Sequence, residues 1–570
     1  MSSFLASPGG ILAAPEVTER APDLNYGLLT PMIVILMAGV LAVLVEAFVP
    51  RERRREVQVT LSLGAIGIAF VVILGQAVGY FGAPFEGGAA GQLIAYATVA
   101  IDRPTLFLQG AVLIMAFLSL LLMSGARQVE HAFAAQAAAV PGGEEEREHV
   151  LAGSRHTEVY PLVLFAVLGM MLFPASNDFL TMFIALEVLS LPLYLLCALS
   201  RTRRLFSQEA AVKYFLLGAF ASAFFLFGIA MIFGYAGSVH FADISAAVDS
   251  HGTGLVTEGE TLLMMGIALV AVGLLFKVGA VPFHNWKPDV YQGAPTPVTA
   301  LMASATLIAG FGALLRVFAS AFDGMAWDWR PMLWIIAILT MVVASIIAVT
   351  QRDIKRLLAY SSVIHAGFIL TAVVAFGPDQ AINASALSAA LFYLGAYGFA
   401  TVGAFAVVTL VRVRGGDAEA GDLAAWAGLG RTAPWLAGAL TLFLLAFAGI
   451  PLTSGFIGKF AVFEAAMSAG AWPLVVIGVL ASAVTAYFYL RIVVLMYFQE
   501  APEDGPRVVA PSWLTGSVIT VGAAATIALG VLPGPVFNTL LPDPDQSAEA
   551  VAETPAPGTE QVEPVDMFVR

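Results

Sequence analysis

The sequence predicts an all-α polytopic membrane protein of about fourteen transmembrane helices. Three observations predict it. Of 570 residues, 59% are hydrophobic and only 12% are charged, with a mean hydropathy of +0.87. A soluble domain carries about 25% charged residues, so this surface must face lipid rather than water. Second, apolar runs long enough to cross about 30 Å of hydrocarbon fall at 28–49, 59–80, 104–124, 158–174, 178–198, 207–236, 261–283, 297–321, 331–350, 356–376, 383–411, 434–469, 472–499 and 513–532. Third, the charges sort by loop. Of the 27 basic residues, 18 lie in loops after odd-numbered spans, five within spans, and four in the tails and even-numbered loops. A miscounted helix would invert every loop beyond it, so this sorting supports the count. The excess of positive charge places the odd loops in the cytoplasm and both termini outside.

Taken in order, the segment 1–27 is weakly apolar and acidic. It lacks the basic start of a secretory signal. Spans 1–3 occupy 28–124, followed by an Ala/Glu-rich loop, 128–157, with too little apolar pattern to fold alone. Spans 4–8 occupy 158–321 and spans 9–13 occupy 331–499. Short strings recur between these blocks. Leu217-Gly218-Ala219-Phe220 resembles Leu394-Gly395-Ala396-Tyr397, and Val281-Pro282-Phe283 resembles Ile450-Pro451-Leu452. The offset is five helices, an odd number, so the two units would lie in opposite orientations, as in many transporters. The run 434–469 is too long for one straight crossing. Span 14, at 513–532, is followed by an acidic, Pro-rich tail at 541–570.

The formal net charge of −13 gathers in the tails and a few loops and gives no basic surface for nucleic acid. The lone Cys197 excludes an internal disulfide framework and a cysteine-ligated iron–sulfur cluster. The seven histidines show no zinc spacing. One G-x-G-x-x-A string, Gly428 to Ala433, has no strand before it and reads as a loop rather than a nucleotide site. No cofactor is expected in this chain.

The informative residues are the charges within spans, each costing several kcal/mol unless paired or hydrated. They are Glu187 in span 5, Lys213 in span 6, Lys277 in span 7 and Lys459 in span 12, with His365 in span 10 and His284 at the end of span 7. A buried lysine can bind and release a proton near neutral pH, which arginine cannot. A Glu–Lys pair therefore makes a switch, and a second lysine a relay. Lys213 is shallow enough to snorkel, and Glu209, four residues before it, competes with Glu187 as its partner. Lys277 and Lys459 are each flanked by glycine and proline, which open the helix ladder and let carbonyls and water hydrate a charge. His284 suits either a relay on the Lys277 face or a hydrogen-bonded interfacial position. His365, after Tyr360-Ser361-Ser362, suits either a water chain or an interhelical contact. Arg316 and Arg491 read as interface anchors, and Glu46 lies near an inner helix end.

Several strings resemble a known family. Leu186-Glu187-Val-Leu-Ser190-Leu-Pro-Leu-Tyr194 and Glu209-Ala-Ala-Val-Lys213 resemble the fifth and sixth helices of antiporter-like subunit N of respiratory complex I. Phe276-Lys277-Val-Gly-Ala-Val-Pro282-Phe-His284-Asn-Trp286, with Pro288 to Pro297, resembles its seventh helix and the loop beyond. Gln351 to Ser362 and Gly449 to Phe460 complete the set, and the similarity covers roughly 28–535. The resemblance implies two inverted five-helix repeats with helices 7 and 12 broken. It implies a proton-translocating subunit of an NADH–quinone oxidoreductase in the bacterial cell membrane, driven by quinone reduction elsewhere. Partner subunits of the complex would hold NAD, FMN, iron–sulfur clusters and quinone. Glu187 and Lys213 resemble the coupling pair, Lys277 the central relay and Lys459 the exit-side lysine. One departure matters: the family's lysine in helix 8 is matched here by Leu307. The relay must then pass through water, His284, His365 or another polar group. The alternatives are a subunit of a multisubunit sodium/proton antiporter and a scaffold subunit without pumping.

Overall fold

A computed structural model of the chain describes residues 24–82, 84–85, 91–125, 157–200, 204–249, 259–413, 418–501 and 507–540. The expectations for 1–23, for nearly all of the loop 128–157 and for the tail 541–570 lie outside the described residues. The chain is an all-α membrane protein, and among the described residues twelve helices are long and apolar enough to cross a bilayer.

The helices are α1 (Tyr26–Phe48), α2 (Arg51–Ala77), α3 (Arg103–Ser124), α4 (Val159–Ala175), α5 (Phe179–Cys197), α6 (Arg204–Ala236) and the short α7 (Phe241–Asp249). They continue with α8 (Glu260–Val278), α9 (Trp286–Gly293), α10 (Thr296–Ala321), α11 (Ala326–Thr350), α12 (Ile354–Val374) and α13 (Gln380–Val408). The last are α14 (Pro434–Ala448), α15 (Ser454–Ser468), α16 (Trp472–Phe498) and α17 (Trp513–Val531). Short polar side chains set several starts. Asp102, Asp178, Asp353, Asp379 and Ser512 each accept a backbone N–H from the first turn of the helix they precede. Helix α2 begins at Arg51, eight residues before the apolar run at 59, because a helix continues through a basic stretch that hydropathy discards.

Between α2 and α3 lies a hairpin absent from the sequence reading. Strand β1 (Gly91–Ile94) pairs antiparallel with β2 (Val99–Asp102), Gly91 opposite Asp102. Its turn holds Ala95, Tyr96 and Ala97 at positive φ, where no glycine or asparagine advertises it. A second small pair joins β3 (Val411–Arg412) to β4 (Arg507–Val508).

Burial divides the helices into two classes. α1, α2, α6, α16 and α17 turn large apolar side chains such as Leu41, Ile68, Phe220, Leu480 and Ile527 outward. In contrast α10 and α12 are buried along their whole apolar windows, and α13 nearly so. Hence polar groups on α12 have only protein around them, and each must be satisfied there. α10 also contains two π-helical turns, Met302–Thr306 and Val317–Ala321.

Two apolar runs are interrupted in the same way. α8 ends at Val278, with Gly279 at φ +74°; Gly279 N–H donates to Phe276 O and Ala280 N–H to Leu275 O. α14 ends at Ala448, with Gly449 at φ +80°; Gly449 N–H donates to Ala446 O and Ile450 N–H to Leu445 O. Both are Schellman closures, in which glycine takes the left-handed turn and the crossed bonds satisfy two of the last carbonyls. The remaining carbonyls of the final turn are left for other donors.

Candidate functional site

The ionisable side chains of the interior lie on α5, α6, α8, α9, α12 and α15. At one end, the Lys213 ammonium of α6 lies 2.6 Å from Glu209 Oε1 and 2.7 Å from Asp289 Oδ2 of α9. The other Asp289 oxygen accepts from Arg356 of α12 at 2.5 Å, and Arg356 also donates to Gln292 Oε1. Lys213 is half-exposed. Among the described residues no ion pair joins it to Glu187. Glu187 has one carboxyl oxygen buried without a hydrogen-bond partner.

Lys277, on the last turn of α8, is 2% exposed. Its ammonium donates to Ser190 Oγ at 2.8 Å and Tyr214 Oη at 3.3 Å, and lies 5.6 Å from the centre of the Tyr214 ring. Ser190 stands one turn beyond Glu187 on α5, and Tyr214 follows Lys213 on α6. Trp286 stacks on Tyr214 at 4.6 Å and ties it to the start of α9.

His284 lies between α8 and α9 rather than on a resumed helix, so seven-residue spacing from Lys277 does not set a common face. It is buried, its Nδ1 has no partner among the described residues, and its ring meets Tyr360 edge-on at 6.1 Å. His365, on α12, is held by two phenols: Nδ1 lies 2.7 Å from Tyr393 Oη and Nε2 lies 3.5 Å from Tyr489 Oη. Tyr489 is also hydrogen-bonded to Ser361.

Lys459, on α15, is 5% exposed. It donates to Phe447 O at 2.9 Å and Ala448 O at 3.0 Å, the free carbonyls that end α14, and to Ser482 Oγ at 2.9 Å. The Phe368 ring covers it at 4.8 Å.

The structure places Lys287 differently from the sequence, which assigned it to a cytoplasmic loop. It is 1% exposed on α9, donating to Val278 O at 2.6 Å and to Ser362 Oγ at 3.0 Å. Nothing local predicts this, because Ser362 is 75 residues away. Lys355 is also interior, with its ammonium 2.7 Å from Ala294 O and 3.8 Å from Glu419. Asp289 escaped notice for the same reason, its partners coming from α6 and α12.

Chemically, three of the interior lysines share one property that Lys355, beside Glu419, lacks. Among the described residues, Lys277, Lys287 and Lys459 have no carboxylate within 4 Å and are cradled by hydroxyls and carbonyls. A carboxylate would lock the ammonium in its charged form. A hydroxyl can accept from an ammonium and donate to an amine, so the cradle tolerates both states.

A family profile described as "NADH:quinone oxidoreductase/Mrp antiporter, TM" matches residues 176–485. The chain is 66% identical to NADH-quinone oxidoreductase subunit N of Thermobifida fusca, over 94% of this chain and 96% of that one. The chain belongs to the subunit N family of NADH-quinone oxidoreductases. A second family member, from Mycobacterium tuberculosis, is 50% identical over 93% of this chain and 99% of its own. Among solved structures, a chain of respiratory complex I from Thermus thermophilus with bound aureothin superposes with a TM-score of 0.69 at 32% identity, covering 90% of this chain and 99% of that chain. A chain of the Mrp complex from Dietzia sp. superposes with a TM-score of 0.74 at 21% identity, covering 92% and 99%. That second likeness is one of fold alone. Subunit N membership therefore decides against the antiporter alternative and gives a proton-translocating membrane subunit of complex I.

Proposed function

We propose that protons cross the interior of this subunit along Glu187, Lys213, Lys277, His284, His365 and Lys459, driven by quinone reduction in partner subunits. The observation that carries this reading is the burial of Lys277 and Lys459 among neutral hydroxyls and carbonyls, with a serine hydroxyl at each ammonium to exchange a proton with. Ser190, which accepts from Lys277, stands one turn beyond Glu187 on α5, so a change in that carboxylate's charge or position is felt at the Lys277 ammonium. Lys213, clamped by Glu209 and Asp289, is the charged entry group whose partner can switch between these acids and Glu187. His365, between two phenols, passes protons between the halves.

In this reading the chain crosses the membrane of a bacterial cell fourteen times, with α8–α9 and α14–α15 each forming one interrupted crossing and both termini outside. Residues 158–321 and 331–499 form the two inverted repeats, flanked by 28–124 and by 513–532. NAD, FMN, iron–sulfur clusters and quinone reside in other subunits of the complex.

The test is proton uptake per electron in proteoliposomes holding the whole complex, comparing wild type with Lys277→Ala. Turnover and pumping should fall together, because a blocked route stalls a tightly coupled machine. Full turnover with full pumping would remove Lys277 from the route and favour a scaffold role. Full turnover with reduced pumping would keep the route but show loose coupling.

A further inference from the structure

The geometry points to Lys287 as a further proton-carrying residue, the first-break counterpart of Lys459, linking Lys277 to the α12 polar chain. The inference rests on the proton-route reading above.

Three observations converge on it. The two helix breaks have the same closure, with left-handed Gly279 and Gly449 and the same pair of crossed bonds. At each break a lysine stem lies across that glycine. A Cβ on Gly279 would meet Lys287 Cε at 2.4 Å, and one on Gly449 would meet Lys459 Cδ at 2.9 Å. At each break the ammonium reaches carbonyl oxygen of the final turn and one serine hydroxyl: Val278 O and Ser362 for Lys287, Phe447 O, Ala448 O and Ser482 for Lys459. Lys277, by contrast, sits on hydroxyls alone, so Lys287 rather than Lys277 repeats the Lys459 arrangement.

Lys287 is too deeply buried to snorkel, and among the described residues no carboxylate lies within 4 Å of it. An unpaired charge at this depth is costly, and the C-terminal end of a half-helix supplies only a partial negative charge in return. The site thus holds either protonation state. On the α12 side its neighbours form a chain of hydroxyls, and on the other its carbonyl partner marks how close Lys277 stands in the sequence. Val278, whose carbonyl binds Lys287, adjoins Lys277. Ser362 adjoins Ser361, the Tyr397 hydroxyl lies beside both serines, and Ser361 is hydrogen-bonded to Tyr489 beside His365. A neutral Lys287 amine takes a proton arriving from the Lys277 side, forming an N–H bond. The ammonium then gives one proton to Ser362 Oγ as that hydroxyl releases its own onward, so charge and atoms balance at each transfer. Helix α10 offers Leu307 and no lysine, and Lys287 supplies a titratable group from α9 instead.

Arginine separates relay from cap. It keeps a positive charge and several donors at the helix end but does not release a proton. The complex carrying Lys287→Arg or Lys287→Met is reconstituted in proteoliposomes, and NADH-driven proton uptake is normalised to assembled complex, with Lys277→Ala in parallel. Both Lys287 variants should lose at least about tenfold, below the usual contribution of a positioned proton-transfer group. Wild-type uptake in Lys287→Arg overturns the proposal, leaving Lys287 a helix cap, and it decides even if Lys287→Met does not assemble. If Lys277→Ala loses uptake while Lys287→Arg retains it, only the Lys287 assignment fails. If Lys277→Ala also pumps fully, the route reading itself fails.

Discussion

Gly449→Ala should lower pumping about tenfold while leaving a complex no more than about 3 kcal/mol less stable than one carrying Gly470→Ala. Both glycines are left-handed, at φ +80° and +76°, so alanine pays about 1–2 kcal/mol of backbone strain at either site. Their surroundings differ. Around Gly470 a Cβ meets nothing within 4 Å, whereas at Gly449 it would stand 2.9 Å from Lys459 Cδ and 3.3 Å from its Nζ. The lysine stem is flexible and gives way, so the clash becomes a displaced ammonium rather than a broken helix. Lys459 holds three hydrogen bonds, and a hydrogen bond to a charged group contributes about 1.5–3 kcal/mol. Losing one lowers the population of the seated ammonium by about tenfold or more, since about 1.4 kcal/mol is tenfold. The assay is thermal stability of the purified complex together with NADH-driven proton uptake in proteoliposomes. Slightly lower melting and about tenfold lower pumping in Gly449→Ala are expected. Gly449→Ala pumping as well as Gly470→Ala would show that the seat of Lys459 at the break is irrelevant to transport.

Gly455→Ala should prevent assembly altogether, because its Cβ would lie 1.9 Å from the backbone oxygen of Ala446, while Gly516→Ala meets nothing within 4 Å and should assemble normally; membrane abundance of the subunit distinguishes them. Glu187→Gln should leave abundance and melting unchanged, since no ion pair with it is broken among the described residues, yet lower NADH oxidation and pumping together. Retained coupled turnover would remove Glu187 from the switch. A double-mutant cycle between Lys213→Ala and Asp289→Ala, read by thermal unfolding, should give a coupling of about 1 kcal/mol or less, because both partners are partly solvated. A larger coupling would mean that the pair is shielded in the assembled complex.

The crossings were legible because lipid leaves a coarse mark: about twenty apolar residues, bounded by charge. The breaks were legible too, since Gly279 and Pro282, like Gly449 and Pro451, interrupt runs that hydropathy alone would join. The partners of the charges were not. Lys213 sits four residues from Glu209, and that contact follows from helix geometry, but its second acid, Asp289, is 76 residues away. Lys287 stands between Trp286 and Pro288 in a stretch that hydropathy reads as loop, and only the fold of α12 over α9 makes it interior. Its one sequence signal is the recurrence of a glycine-closed helix end followed by a lysine, eight residues after Gly279 and ten after Gly449. The hairpin at 91–102 gave no signal, because its left-handed turn is built from Ala95, Tyr96 and Ala97.

A lysine that caps a helix cannot lose its proton without partly uncapping that helix. When the Lys459 amine is neutral, it has two protons to share among Phe447 O, Ala448 O and Ser482 Oγ, and one acceptor must turn elsewhere. The Ser482 hydroxyl already lies 3.4 Å from Ala448 O and is the donor at hand. On the proposed route, discharge of Lys459 therefore shifts one hydrogen bond of the helix end from lysine to serine, and recharging returns it. Charge and capping then alternate at the same few atoms, so the state of the proton is written into the fastening of the broken helix end.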